Sequence, residues 1–432
     1  MIVINFLLLN ANAAKKLSTE DCIFYAWKHS PLLKKEQIDA ENNILDELIA
    51  KSKLAFEVDL SSSYSIKAKE QKNELHFSKS LINGTQIRLS GNLDPLSNAQ
   101  NIDSSISAVI SHRILGGDQM GETRNLIEKV LIDKTILLNR IYKKKRELAY
   151  QIQRSFYLII RDYQSVSIQE RRVQRAKKNL QHALEREKPQ DIITAKIDVP
   201  KNEMELIRAN RGIEQRLDDL KGLMGMPIQE KLEIKTDFEY LVYKTDLEKD
   251  IQFAFKYGED FLNNRLELKK LNADNHLYQR KLSPEVSLSA KHTNLNSTSG
   301  YNQEKEEQIL SLDLSWQIGR KKEIAEFRKS LNRIRKNETD LFLLKQDKTK
   351  SLYDLHRRLV ETEQSIHLQD QRIGLIGKQV VLFQDRWANG EIDILELVRS
   401  QNSLEDANVN LINLKAEYLE LVAEYKFQVG RG

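Results

Sequence analysis

Two very long amphipathic helical patterns constrain this 432-residue chain more than any other feature. They run from about Glu122 to Glu187 and from about Lys322 to Ala388, with apolar residues at every third or fourth position. Such spacing is typical of coiled coils. At a rise of 1.5 Å per residue, roughly 65 residues extend on the order of 100 Å. We therefore expect these helices to pack against one another, or against copies of themselves, rather than inside a compact domain.

The composition supports long helices and argues against several functional classes. Only 16 glycines and 6 prolines occur, and 30% of the residues are charged, which favours helices over loop-rich folds. The net charge of +5 arises from mixed signs without a basic stripe, so nucleic-acid binding is not expected. Cys22 is the sole cysteine, and no catalytic or metal-binding motif occurs. We predict neither an enzyme nor a cofactor or metal site.

The chain contains an internal repeat of two halves. The pattern L-x-x-E-V-x-L-S occurs from Leu54 and again from Leu282, and ISAVISHRILGG from Ile106 corresponds to ILSLDLSWQIGR from Ile309. After each long helical pattern comes a break, EREKPQDIITAK in the first half and RWANGEIDILELV in the second, and then another helix. Each half therefore reads helix, strand, strand, long helix, tip, helix.

This repeat divides the chain into seven predicted segments. They are a signal peptide (1–13), the first helix of repeat 1 (14–53), its strands with an insert between them (54–117), its long hairpin (118–228, tip near 186–192), a linker with the first helix of repeat 2 (229–281), the strands of repeat 2 (282–319) and its long hairpin (320–432, tip near 386–393).

The first residues resemble a secretory signal peptide. The largely apolar stretch Ile2–Leu9 precedes Ala11-Asn12-Ala13, which fits the small-x-small pattern of a cleavage site. The usual basic start is missing, so we expect a truncated signal or a misplaced start codon; a frayed terminus is the alternative. Elsewhere no stretch has 18 consecutive apolar residues, and no transmembrane helix is predicted.

Alternating polar and apolar residues predict four strands per chain, with a weaker stretch, NGTQIRLSGNL, in the insert. Segments of this kind form outer-membrane barrels, with lipid outside and water inside, but a soluble half-buried sheet shows the same alternation. Four strands cannot close a barrel, and open strand edges are not tolerated in lipid. Strands from several identical chains can close one, which favours a barrel shared between copies.

In this order the segments resemble the TolC-like outer-membrane efflux proteins over essentially the whole mature chain. LSTEDCIFYAWKHSPLLKKEQIDAEN is similar to the amino-terminal helix of that family, and SHRILGGDQMGETRN to its passage from strand to helix. NGEIDILELVRSQNSLEDANVNLINLKAEYL is similar to its second hairpin tip and return helix. Two departures stand out: His112-Arg113 replaces the usual Gln-Pro, and the tips lack the usual Val-Gly-Leu/Thr-Arg run.

The resemblance implies a mainly α protein with a β part. Long α-helical hairpins would form a coiled-coil-like periplasmic tunnel, and four strands per chain would contribute to a twelve-stranded barrel in a homotrimer. It implies the outer membrane of a Gram-negative bacterium, contact with its lipid, and two partners: a periplasmic adaptor protein and an inner-membrane pump of RND or ABC type. The function would be an exit duct for efflux or type I secretion, without a cofactor. A soluble, elongated coiled-coil scaffold is the alternative.

The resemblance also implies a gate of carboxylates at the hairpin tips. The matching positions are Asp191, Asp393 and Glu396, and the last two are three residues apart on one helix face. In a trimer each becomes a ring of three charges, which favours cations and can gate a pore. For Asp191 and Asp393, the alternative is satisfaction of free amides at a helix N-terminus.

Seven further residues are candidates at the tips and in the barrel. At the tips these are the turn residues Pro189, Asn389 and Gly390 and the basic partners Arg386 and Arg399, and in the barrel the aromatic girdle residues Tyr64 and Trp316. Both arginines can instead be ordinary surface residues, and both aromatic residues can instead pack in a core.

Overall fold

A computed structural model describes residues 16–65, 70–94, 103–116, 119–185, 187–236, 240–297, 305–316 and 318–431. The predicted signal peptide, 1–13, lies outside these residues. The chain divides into two compact units. Unit 1 comprises Met1–Glu36, Arg140–Glu259 and Leu344–Gly432, and unit 2 comprises Gln37–Asn139 and Asp260–Leu343.

Within the described residues eight helices occur, four in each half of the chain. They are α1 (Thr19–His29), α2 (Pro31–Ser52), α3 (Gln119–Glu185), α4 (Pro189–Met224), α5 (Leu247–Tyr257), α6 (Glu259–Lys281), α7 (Lys321–Ala388) and α8 (Ile394–Val429). Corresponding helices have nearly equal lengths: 11 and 11, 22 and 23, 67 and 68, and 36 and 36 residues. The two predicted structural repeats are confirmed. None of these described helices has both the length and the apolar character needed to cross a bilayer.

The strands of the described residues form one antiparallel sheet of six strands in sequence order. They are β1 (Phe56–Ser65), β2 (Glu70–Ser80), β3 (Thr85–Asp94), β4 (Asp103–Leu115), β5 (Glu285–Ser297) and β6 (Lys305–Ser315). The predicted fold class, long helices with antiparallel strands, is confirmed. The sheet has two strands more than the four predicted, because the insert forms a hairpin, β2–β3, that pairs with β1 on one side and β4 on the other.

One face of the sheet is apolar and the other is polar. Residues that are direct partners share a face, and the pairs Leu60 with Leu75 and Ala290 with Leu310 both lie on the apolar face. This face, which we call the apolar sheet face, carries Val58, Leu60, Leu75, Phe77, Ile87, Leu89, Ile106, Ile110, Leu288, Leu310, Leu312 and Leu314. The opposite face is rich in serine and includes Glu57, Asp59, Glu74, His76, Arg88, Lys291 and Asp313.

Unit 1 contains two hydrophobic clusters that repeat each other. The first packs α1, α3 and α4 through Cys22, Ala26, Ile152, Ile159, Leu220 and Met224, and the second packs α5, α7 and α8 through Ala254, Leu352, Leu355, Tyr418, Leu421 and Tyr425. Burial raises the pKa of the Cys22 thiol to about 12, with a smaller contribution from Asp21. Cys22 is therefore a packing residue, because the reactive thiolate form is scarce at neutral pH.

In unit 2 polar side chains join neighbouring helices. Lys134 of α3 donates to Glu47 of α2 at 3.0 Å, and Lys270 of α6 pairs with Asp133 of α3 at 2.7 Å. Ser330 of α7 donates to Asn275 of α6 at 2.8 Å. Several large apolar side chains of this unit are nevertheless exposed, among them Leu48, Leu131 and Leu138.

Candidate functional site

The tips of the two helical hairpins pack together in unit 1. Ala183, Ala195, Ile394 and Val398 are buried against one another, and Leu180, Ile192 and Trp387 cover them. We call these seven residues the tip cluster. The Trp387 ring also lies edge-on to His182, with ring centres 6.2 Å apart. Two turns that are distant in sequence therefore form one site.

The turn of the second tip is built around Gly390. The Glu391 N–H donates to the carbonyl of Arg386 at 2.9 Å, and the Gly390 N–H donates to that of Trp387 at 3.0 Å. This pair of bonds is the Schellman termination of a helix. It places Gly390 at φ +80°, a conformation that favours glycine. The Arg386 guanidinium donates to Glu391 at 3.3 Å, so the carboxylate that Arg386 meets is one that the sequence did not single out.

The first tip makes its turn without a glycine. Helix α3 ends at Glu185, and Glu187 adopts φ +56° before Pro189 opens α4. Proline suits the first helical position because its missing N–H would have no helical partner there. A left-handed residue other than glycine costs roughly 1–2 kcal/mol. The first tip thus holds a strained residue where the second has a glycine.

The three candidate gate carboxylates differ in environment. Asp191 lies in the first turn of α4 and is only 4% exposed. Asp393 occupies the N-cap position of α8, where its side chain makes no capping hydrogen bond, and both Asp393 and Glu396 are exposed. The capping alternative for Asp393 is therefore not realised as a hydrogen bond, although its charge still lies at the positive end of the helix. The gate itself stays a prediction.

A charged network that the sequence did not reveal joins the two hairpins. Arg172 of α3 donates to Glu405 of α8 at 2.7 Å and to Asp406 at 2.5 Å. Arg175 also binds Glu405, and it donates to Asn402 at 2.8 Å. We call these five residues the α3–α8 network. Arg172 is only 8% exposed. The sequence holds one signal for this network: Arg172 and Arg175 are three residues apart on one helix, and the acidic residues Glu405 and Asp406 are adjacent on another.

Burial affects both partners of this network. It raises the pKa of Glu405, and the two guanidinium groups act in the opposite direction. It lowers the pKa of Arg175, against the attraction of Glu405. Next to the network, Asn179 donates to Gln401 at 3.1 Å in a buried contact between the same helices. Removing one partner would leave a charge in a poorly solvated place, which is far more costly than breaking a surface pair.

The remaining candidate residues lie at separate places. Arg399 is exposed and, with Arg372 and Asp406, lines an open groove of about 350 Å³. Tyr64 lies near the end of β1 that is remote from α2, and Trp316 directly follows β6. Their side chains are 57% and 64% exposed, so neither is packed in a core within the chain. Their role in an aromatic girdle stays a prediction.

Comparison with known proteins gives a consistent result at the level of structure. No protein-family model and no curated protein matches the chain. Solved structures do match: CusC, studied for its folding and transmembrane channel formation, has a TM-score of 0.73 at 13% identity, over 98% of this chain and 96% of that one. The outer membrane protein VceC of Vibrio cholerae gives 0.71 at 13% identity, over 96% of each chain. The open MtrE outer membrane channel of Neisseria gonorrhoeae gives 0.71 at 13% identity, over 95% of this chain and 88% of that one.

The chain has the fold of the TolC-like outer-membrane channels. The resemblance inferred from the sequence segments is therefore confirmed as a likeness of fold that extends over nearly the whole chain. At identities of 13%, it is the architecture that is shared, and residue roles at the tips must be argued from this chain.

Replacing Gly390 tests the turn of the second tip. A Cβ at this position would meet nothing within 4 Å, so Gly390→Ala should cost only the conformational strain, about 1 kcal/mol. We expect hydrogen exchange of residues 384–396, followed by mass spectrometry, to become roughly fivefold faster. Gly377→Ala, in the open interior of α7, is the matched control and should leave that exchange unchanged or slower. Equal exchange in the two variants would contradict this account of the turn.

Neutralising Glu405 tests the α3–α8 network. Glu405→Gln keeps the shape of the side chain but leaves Arg172 and Arg175 without their shared charge, so we expect a loss of about 1–3 kcal/mol and a lower melting temperature. The control is Glu417→Gln, because Glu417 forms an exposed pair with Arg358 at 3.6 Å whose loss should cost less than about 1 kcal/mol. Equal melting temperatures for the two variants would show that the network does not stabilise the fold.

Proposed function

We propose that this protein is a trimeric outer-membrane exit duct. The observation that carries the proposal is the match of 95–98% of the chain to solved outer-membrane channels. In this role three copies enclose a barrel in the outer membrane and a helical tunnel in the periplasm. The tips meet a periplasmic adaptor, which couples the duct to an inner-membrane pump of RND or ABC type. Its cargo belongs to efflux or to type I secretion, and the step is passage rather than chemistry.

The exposed surface of a single chain supports assembly with other copies. Large apolar side chains contribute to this surface, including Leu138, Tyr142 and Leu375 on the long helices. Neighbouring copies would cover surface of this kind, as coiled-coil partners do.

The sheet supports contact with lipid. An outer-membrane barrel directs its apolar residues outward and its polar residues towards a water-filled interior. The apolar sheet face has this character, with Leu60 77% exposed and Leu310 75% exposed in the single chain. The serine-rich opposite face would line the interior. Tyr64 and Trp316, near opposite ends of the strands, would then lie at the two membrane interfaces.

The tips support a gate with divided roles. Asp393 and Glu396 are exposed at the start of α8 and would form rings of charge in a trimer. Asp191 is buried and would hold the first tip in place rather than face a pore. Pro189, Asn389 and Gly390 would set the turns. Because the α3–α8 network ties one hairpin to the other, α3 and α8 would move together when the entrance opens.

Removing both exposed carboxylates tests the gate. Asp393→Ala with Glu396→Ala should raise the single-channel conductance in planar bilayers, because the smaller side chains would widen the entrance. The preference for cations should fall roughly twofold or more, because six negative charges leave the entrance of the trimer. The control is Glu338→Ala with Asp340→Ala, two exposed carboxylates of α7 far along the chain from the tip. A double variant with unchanged conductance and unchanged ion preference would exclude Asp393 and Glu396 from the gate.

A further inference from the structure

The strand order determines how many strands each copy can give to a shared barrel. We propose that the barrel of the trimer has eighteen strands, six from each chain, and that the hairpin β2–β3 is part of its wall. This proposal rests on the exit-duct function, but its failure would leave that function intact. It departs from the twelve strands that four per chain would give.

The β2–β3 hairpin spans the full depth of the sheet. Strand β2 pairs with β1 along its whole length, from Phe56 opposite Lys79 to Ser65 opposite Glu70. Strand β3 pairs with β4 in the same way, from Thr85 to Asp94. The turn between β2 and β3 lies at the end where the sheet joins the helices, because the Arg113 N–H of β4 donates to the Gly84 carbonyl at 3.3 Å. The hairpin is thus a pair of wall strands rather than a loop beyond the sheet.

The two faces of the hairpin continue the faces of its neighbours. Phe77 of β2 lies opposite Val58 of β1 on the apolar sheet face, and Leu89 of β3 lies opposite Ala108 of β4 on the same face. On the polar face, the Ser90 and Ser107 hydroxyls are 2.5 Å apart across β3 and β4. A hairpin held in water above a membrane has no need of an apolar face in register with lipid-facing neighbours.

Direct pairing of β1 with β4 is incompatible with this arrangement. Two strands lie between them, and with a strand spacing of about 4.8 Å their axes are roughly 14 Å apart. Leaving the hairpin out of the wall would break the whole β1–β2 and β3–β4 ladders and expose their backbone groups. Buried backbone groups without a hydrogen-bond partner destabilise a fold, and they do so most in lipid, where no water can replace the partner.

The two outer strands fit a second copy of this chain. In the strand order of the described residues, β1 and β6 each have a neighbour on one side only. An even number of antiparallel strands makes β1 and β6 run in opposite directions, so β6 of one copy can pair with β1 of the next. Their lengths are 10 and 11 residues. To keep the apolar face outward, Leu312 must lie beside a residue on the apolar sheet face of β1 in the next copy, which leaves Phe56, Val58, Leu60, Ser62 and Tyr64 as its possible partners.

The number of strands sets the width of the exit. With a strand spacing of about 4.8 Å and a tilt of about 40°, eighteen strands give a barrel roughly 36 Å across, against roughly 24 Å for twelve. The cross-section is then about twice as large. Glu74, His76 and Arg88 of the hairpin lie on the polar face, and in the wider barrel they line the exit.

Disulfide mapping tests the position of the hairpin in the full-length protein. In a Cys22→Ala background, oxidation should link Leu60→Cys to Leu75→Cys and, in a second variant, Leu89→Cys to Ala108→Cys, because these residues are direct partners. Both links should lie within one chain, which mass spectrometry of linked peptides would show. The matched control, Leu60→Cys with Ala108→Cys, should not react. Efficient linkage of the control pair, or none of the first two, would overturn the proposal.

A second pair tests the contact between copies. Leu312→Cys combined in turn with Phe56→Cys, Val58→Cys, Leu60→Cys, Ser62→Cys and Tyr64→Cys should give covalent dimers and trimers on a non-reducing gel in at least one variant. Absence of these species in all five variants would overturn the pairing of β6 with β1 of the next copy.

Electron cryomicroscopy of the protein in lipid nanodiscs counts the strands directly. We expect three copies and eighteen strands. A trimeric channel with twelve strands would overturn this inference and leave the exit-duct function unchanged. A dimeric channel closed by twelve strands would overturn both this inference and the proposed trimer, but not the exit-duct function. A protein that never enters a lipid bilayer would remove the exit-duct function and this inference together.

Discussion

The two outer strands of the six-stranded sheet, as the described residues form it, are the constraint on which the proposed assembly depends. In the strand order of the described residues, β1 and β6 have a neighbour on one side only. In the exit duct that we propose, the apolar sheet face would contact lipid, where water cannot satisfy the outer backbone groups of these two strands. Pairing with further copies would supply these hydrogen bonds. Rotational symmetry of such a closed barrel would then bring copies of the long helices, which continue the chain from the strands, next to one another.

The two halves of the chain have helices of nearly equal length, but their tips differ. One tip turns through Gly390 and the other through the left-handed residue Glu187. They nevertheless meet in a single tip cluster, and the α3–α8 network joins the same hairpins through charges. In the proposed channel, an entrance built this way would combine an apolar contact between the tips with exposed carboxylates that select ions. The burial of Asp191 and the exposure of Asp393 and Glu396 fit that proposed division.

Sequence patterns were sufficient for the helices and the repeat, because periodicity along one segment is a local property. The pattern predicted from about Lys322 to Ala388 is α7, Lys321–Ala388. The β2 strand was missed since Gln71, Asn73 and Lys79 interrupt its apolar side. The α3–α8 network depends on the register between two helices, and the tip cluster depends on the packing of four helices, α3, α4, α7 and α8. Contacts of this kind join residues that are distant in sequence, so the spacing of residues within one segment cannot predict them.

The central claim is that the chain forms a trimer in the outer membrane, and a membrane fractionation measures this most directly. The full-length protein would be produced in a Gram-negative host, and its outer membranes would be separated, extracted with detergent and analysed on gels with and without heating. The account predicts a particle of three 50.2 kDa chains in the outer-membrane fraction that collapses to single chains on heating. A soluble monomer of 50.2 kDa outside the membrane fraction would contradict it.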